Sequence, residues 1–199
     1  VTFHPTRRGK LALGALLIAA IVLVTLLAFA PAGRPPIGAF SWLADRPAPA
    51  NWHRLGLPDG TAVLSYPPAL RPIAGDRGTV SAALRSPAGA YLLYLNSTPR
   101  QGGENLRNWA GFRLRLLASD DASSDHEDDA ATGLKFRGGT GSCMIDDYVT
   151  RIGAHHYREI ACLVQGRIAA SVVVAAAPAA RWASARPLLE QAVAAYSVR

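Results

Sequence analysis

Cysteine and lysine are the scarce residues of this 199-residue chain: it has two cysteines, and only two of its 21 basic residues, Lys10 and Lys135, are lysines. The two cysteines, Cys143 and Cys162, stand too far apart in sequence for Cys/His finger spacing, and no basic motif studded with aromatics of the RNA-binding kind is present. Charged residues make up only 18% while half the chain is apolar, which does not suit a disordered chain. Gly-x-Ser-x-Gly, His-Glu-x-x-His and the phosphate-loop pattern are missing as well, so none of the common hydrolase, metalloprotease or nucleotide signatures is there.

The net charge of +7 invites a nucleic-acid reading, but it divides along the chain. Residues 1–10 carry +3 through Arg7, Arg8 and Lys10, residues 31–50 carry +1, and the stretch from Asn51 onward has 16 basic against 13 acidic residues, a mild +3. Nucleic acid is not implied. Scarce lysine beside abundant alanine reads as the codon bias of a GC-rich genome.

From Leu11 to Ala30 there is no charge at all in LALGALLIAAIVLVTLLAFA. Twenty residues at 1.5 Å each span about 30 Å as a helix, the thickness of a bilayer's hydrocarbon core. This predicts a transmembrane helix, and the basic cluster before it predicts a cytoplasmic N-terminus with everything after it outside. The rival is a cleaved signal peptide, against which stand the length of the run and Pro31, just after an Ala28-Phe29-Ala30 site. No cysteine follows the run, so it is not a lipoprotein signal. The localisation expected is the cell membrane, single-pass, with the membrane itself as one partner through residues 11–30.

Residues 31–50 hold five prolines and predict a semi-rigid spacer reaching about 60 Å if fully extended. Within it Phe40-Ser41-Trp42-Leu43 is apolar, and two placements stay open: the membrane interface, where Trp is enriched, or the surface of the following domain.

Residues 51–199 are long enough for one globular core. Strands are predicted at 61–66, 79–85 and 90–96, then at 133–137, 142–150, 155–164 and 167–176, with turns at Ser86–Gly89, Gly138–Gly141, Ile152-Gly153 and Gln165-Gly166. The run RIAASVVVAAA is apolar on both faces and predicts a central strand. Helices are predicted over Glu104–Leu117 and about Ala179–Tyr196, the latter continuous through Pro187, which falls on its outer side. Arg113 lies inside the apolar stripe of the first helix. Either its stem packs while its head reaches water, or it partners a buried carboxylate such as Asp146 or Asp147.

The fold class expected is α+β, a mostly antiparallel sheet of about six or seven strands between helical layers, preceded by one transmembrane helix. The order of elements, the strand end at Tyr66-Pro67, the strand and helix over Leu92–Leu117 and the terminal helix entered through Ala177-Pro178 resemble the PsbP-like fold, an α/β/α sandwich. That fold is shared by the extrinsic photosystem protein and by LpqN-type secreted domains of actinobacteria. The resemblance implies a non-enzymatic extracytoplasmic module that docks on other proteins, here an envelope protein of unknown identity. No cofactor is implied.

Other constellations point to bland roles. Ser119 to Asp129 packs six carboxylates and His126 together but lacks the ligand spacing of a calcium loop, and predicts a solvated loop. His155-His156 are strand neighbours that point apart, and Ser142 and Cys143 have no motif placing a base beside them. Two function classes remain. A protein-interaction module would have closed apolar interiors beneath both helices. A small-ligand or hydrolytic domain would have a pocket between the first helix and the sheet near Arg113, Asp146 and Asp147.

The cysteines, Cys143 and Cys162, are expected to form a disulfide between adjacent strands. In a two-residue hairpin, facing residue numbers sum to a constant. A turn at Ile152-Gly153 gives 305, and the cysteine numbers also sum to 305, whereas a turn at Gly153-Ala154 gives 307 and leaves them diagonal. A one-residue slip would put them on opposite faces.

Overall fold

The structure, a computed structural model, describes residues 38–120 and 122–199. The apolar run at 11–30, the basic residues before it and the start of the proline-rich spacer lie outside the described residues, and so does the topology expected of them. Among the described residues no helix is long and apolar enough to cross a membrane.

Within the described residues ten strands and two α-helices follow one another as β1 (His53–Gly56), β2 (Ala62–Tyr66), β3 (Arg71–Ile73), β4 (Val80–Arg85), β5 (Tyr91–Pro99), α1 (Trp109–Asp120), β6 (Ala122–Phe136), β7 (Gly139–Thr150), β8 (His156–Gly166), β9 (Ala170–Pro178), α2 (Trp182–Ala194) and β10 (Ser197–Val198). Seven strands form an antiparallel sheet in the order β3-β4-β5-β9-β8-β7-β6, and β1-β2-β10 form a small second sheet. The α+β class and the antiparallel sheet are as expected from the sequence; the second sheet, built from strands of two to five residues too short to show a period, is not.

β9 lies between β5 and β8 and is buried from Ala170 through Ala177, as a run apolar on both faces requires. Its alternate residues feed two separate cores. Val172 and Val174 join Met144, Ala161 and Leu163 beneath Trp109 of α1, whereas Val173, Ala175 and Ala177 join Ile145, Ile160, Leu189, Val193 and Tyr196 beneath α2 and the small sheet. α2 continues through Pro187, which is exposed.

Three local expectations are corrected, and one left open is decided. The acidic segment 119–129 is not a solvated loop: from Ala122 on it is the first half of β6, paired with β7 along its length. Acidic side chains and three register shifts on the outermost strand are what keeps an exposed sheet edge from pairing with another chain. The first helix begins at Trp109 and not Glu104. The side-chain oxygens of Glu104, Asn105 and Asn108 accept bonds from nearby backbone N–H groups, at 2.7 to 3.3 Å, and hold 101–108 in turns instead. The turn expected at Gly138–Gly141 is the two-residue Arg137-Gly138, with Gly138 at φ +83°. Gly141 sits within β7 because Phe136 packs over it: a Cβ there would fall 2.4 Å from the ring. Finally, of the two placements left open for Phe40-Ser41-Trp42-Leu43, the segment takes the domain surface. Phe40 is fully buried among Leu57, Leu64, Leu134 and their neighbours, with Trp42 and Leu43 packed beside it, so the spacer is shorter than its prolines suggest.

Candidate binding cleft

Register decides which charged side chains meet. β7 and β8 pair so that facing numbers sum to 305: Cys143 faces Cys162, Asp146 faces Glu159, and Asp147 faces Arg158. Cys143 and Cys162 form the disulfide, with Cα atoms 4.0 Å apart and both side chains buried. The hairpin reaches this register by a four-residue loop, Arg151–Ala154, closed by Thr150 N–H donating to the His155 carbonyl at 2.9 Å. The register was legible in the sequence; the turn type was not.

Because neighbouring strand residues point to opposite faces, Asp146 turns toward α1 and Asp147 turns away. Arg113 reaches from α1 to Glu159, donating through Nε at 2.8 Å and Nη2 at 2.7 Å, both to Oε1. Glu159 is 1% exposed. Asp146 is fully buried, and neither of its oxygens has a hydrogen-bond partner among the described residues. Burial first, then the charge of Glu159, push its carboxyl up to about 9 in spite of Arg113, so it is neutral at physiological pH. Burial disfavours the Arg113 charge, but Glu159 and Asp146 together outweigh this and hold its pKa above the usual value. Tyr148, on the same face, is likewise raised, by burial and then by Glu159.

The trio expected from the sequence, Arg113, Asp146 and Asp147, is therefore only partly assembled. Asp147 lies on the α2 face, where Arg158 donates to it at 3.0 Å, His156 Nε2 lies 3.0 Å away, and the Arg158 guanidinium sits 5.4 Å from the Trp182 ring centroid. Arg158 also pairs with Asp128 of β6. The partner of Arg113 that the sequence reading missed is Glu159. The same sum of 305 that matched the cysteines also matches 146 with 159, so the signal was present and unused.

Beside this pair the sheet is uncovered. α1 lies over β6, β7 and β8, and between its inner side and β5 a cleft of about 840 Å³ opens. Tyr94, Asn96 and Thr98 of β5 form one wall, Phe112 and Leu116 of α1 the other, and Arg113, Glu159 and Tyr148 lie at its inner end. Trp109 fixes the roof, its indole N–H donating to the Ala161 carbonyl at 2.9 Å. The other end of α1 is held by Arg151, which donates to the carbonyl oxygens of Ala118 and Ala122. The residues considered for nucleophilic chemistry are engaged elsewhere, Cys143 in the disulfide and Ser142 in a bond to the Ala131 carbonyl at 3.3 Å.

No protein-family model and no curated protein matches the chain. Among solved structures, the cyanobacterial PsbP (CyanoP) of Synechocystis sp. PCC 6803 is similar at 12% identity and TM-score 0.50, covering 76% of this chain and 95% of that one. LpqN of Mycobacterium tuberculosis, described as involved in cell envelope biogenesis, is similar at 12% identity and TM-score 0.47, with 74% and 90% covered. PA94 of Pseudomonas aeruginosa, a protein of unknown function described as a putative regulator, is similar at 13% and 0.45, with 71% and 93% covered. At such identities the likeness concerns the fold alone. The described domain has a PsbP-like fold.

Proposed function

We propose that the chain is a membrane-anchored, non-catalytic binding protein of the cell envelope, and that the cleft beneath α1 is its recognition site. The observation that supports this reading is the asymmetry of the sheet: one face is closed by α2 and the small sheet, while the other leaves about 840 Å³ open beside a buried ion pair. By the contrast drawn from the sequence, an open pocket with convergent polar groups beside Arg113 supports the small-ligand class over a protein-interaction module with closed interiors beneath both helices. Against hydrolysis stands the chemistry of the inner end, where Arg113 and Glu159 neutralise each other and the serine and cysteine considered for attack are engaged elsewhere. The anchor and the outward orientation rest on residues 1–30 and their charge asymmetry.

Photocrosslinking in intact membranes tests both halves. A photoreactive side chain replacing Phe112 in the cleft is expected to form a discrete adduct, and the same group replacing exposed Arg186 on α2 is not. The chain is also expected to stay in the membrane fraction through an alkaline wash, with its C-terminus accessible from outside the cytoplasm. Equal labelling from both positions, or release by the wash, would sink the corresponding half.

A further inference from the structure

We infer that the cleft recognises a cationic group, an ammonium or guanidinium on an apolar stem, in preference to an anion or a neutral polyol. This rests on the cleft being the recognition site, and three independent features lead to it.

The first is charge. Of the ionisable side chains lining the cleft, Asp76, Glu104, Asp120 and Glu159 are acidic and Arg113 and Arg151 basic, a balance of −2, whereas the chain from Asn51 onward carries +3. An acidic depression in a basic domain draws in cations and turns anions away.

The second is commitment. Both cationic side chains are engaged through Nε and Nη2, Arg113 with Glu159 and Arg151 with two main-chain carbonyls, so the charge of Arg113 is already balanced by Glu159 before a guest enters. Acceptors are in surplus. Glu159 takes both Arg113 bonds on Oε1, leaving Oε2 without a donor among the described residues. Asp76 and Asp120 stand exposed at the rim. A guest bringing donors and positive charge satisfies this surplus; a guest bringing acceptors adds to it.

The third is the walls. Phe112, Tyr94 and Tyr148, each half-buried, line the space between the rim carboxylates and Glu159. Aromatic faces attract ammonium and guanidinium groups within about 6 Å of their centroids and also pack against an aliphatic stem.

The test is NMR of the full chain in detergent micelles, following the Trp109 indole N–H. The probes are putrescine, for a free small amine, and the capped tripeptide Ala-Lys-Ala, for a side chain presented by a partner segment; citrate and sorbitol serve as anionic and neutral controls. One or both cations are expected to shift the signal saturably, with binding at least about fivefold weaker in 300 mM than in 50 mM salt. The stronger of the two cations indicates the source. Glu159→Gln is expected to lower the affinity at least about tenfold, on the scale of a lost charge-assisted bond. Because that change can disturb Arg113, the exposed pair Asp76→Asn with Asp120→Asn is the second arm, expected to weaken binding about threefold with the fold intact. Citrate or sorbitol shifting the signal where both cations fail overturns the inference and leaves the cleft as a site of another chemistry. Silence from all four probes, or unchanged affinity in the double variant, overturns it as well. Crosslinking from position 112 reports separately whether the cleft is a site at all.

Discussion

The two faces of the seven-stranded sheet are built from the same strands, yet one is a finished interior and the other an unfinished one. On the α2 face, α2, the small sheet and the docked segment around Phe40 close over Cys143, Ile145, Ile160, Val173 and Ala175, and the deeply buried Tyr196 hydroxyl is satisfied by Ser97 at 2.6 Å and Ser171 at 2.8 Å. On the α1 face one described helix covers part of the sheet, charged groups are buried beside it, and neither Asp146 oxygen has a hydrogen-bond partner among the described residues. Natural proteins leave local rules unmet mainly where something else is gained; among the described residues two of the three buried polar atoms without a partner, the Asp146 oxygens, are on the side that holds the cleft, and the third, Arg158 Nε, is on the α2 face.

The same deletion on the two faces gives the widest contrast. Phe40→Ala removes a fully buried ring from the closed face and is expected to cost about 3–5 kcal/mol. Phe112→Ala trims a half-buried ring at the wall of the cleft and is expected to cost about 1 kcal/mol. Urea unfolding of the full chain in detergent, followed by tryptophan fluorescence, measures both. Equal losses would mean that the faces do not differ in closure.

Asp146 sharpens the comparison by pH. Its folded pKa of about 9 stands above the ordinary 3.8, so the stability linked to its proton is fully present below about pH 4 and is lost as the pH climbs toward 9. Asp146→Asn keeps the shape and does not titrate. Its advantage over the native chain is therefore expected to be small at pH 4 and to grow by up to 1.36 kcal/mol per pH unit, reaching up to about 4 kcal/mol between pH 5 and 8. Stability curves of the two chains at four pH values decide it, and a difference independent of pH would refute the neutral buried carboxyl.

Cys143 and Cys162 belong to the closed face, and their bond closes a separation of 19 residues. By chain entropy, replacing both with alanine is expected to cost about 3 kcal/mol. Mass spectrometry after alkylation without reduction should find neither thiol labelled in protein matured outside the cytoplasm.

How much of this was legible in the sequence follows from what each feature depends on. Long strands and the covering helices announced themselves through periodicity, and β9 through its unbroken apolar run. The edge strand β6 did not, because Ser123 to Asp129 earns its place by pairing with β7 and has no hydrophobic face of its own to show. β1, β3 and β10 are too short to carry a pattern. At the cleft, Arg113 stood out as a charge in an apolar stripe, but its partner required long-range register. The arithmetic that placed the cysteines was enough to place Glu159 opposite Asp146, and to set Asp147 on the other face.

The smallest expected effect lies at the tip of the β7–β8 hairpin, beside the mouth of the cleft that Ile152 helps to line. Strand register there survives a turn that is not the one the arithmetic assumed. A two-residue turn would have asked Ile152 to take a positive φ; the four-residue loop instead places the positive values on Gly153, at +79°, and on Ala154, at +47°. Gly153 takes its value freely, but alanine in the left-handed region costs about 1 kcal/mol, since its Cβ crowds the backbone. Ala154→Gly removes that strain while adding some unfolded-state entropy, so the net gain expected is about 0.5 kcal/mol. The loop ends are held by Thr150, whose N–H and Oγ meet the His155 carbonyl at 2.9 Å and N–H at 3.0 Å, so the gain should appear without any change in register. Urea midpoints give the sign, and the Cys143–Cys162 bond, still formed in the variant, reports that the strands have not slipped. A loss of stability would mean that Ala154 is held by contacts outweighing its backbone strain.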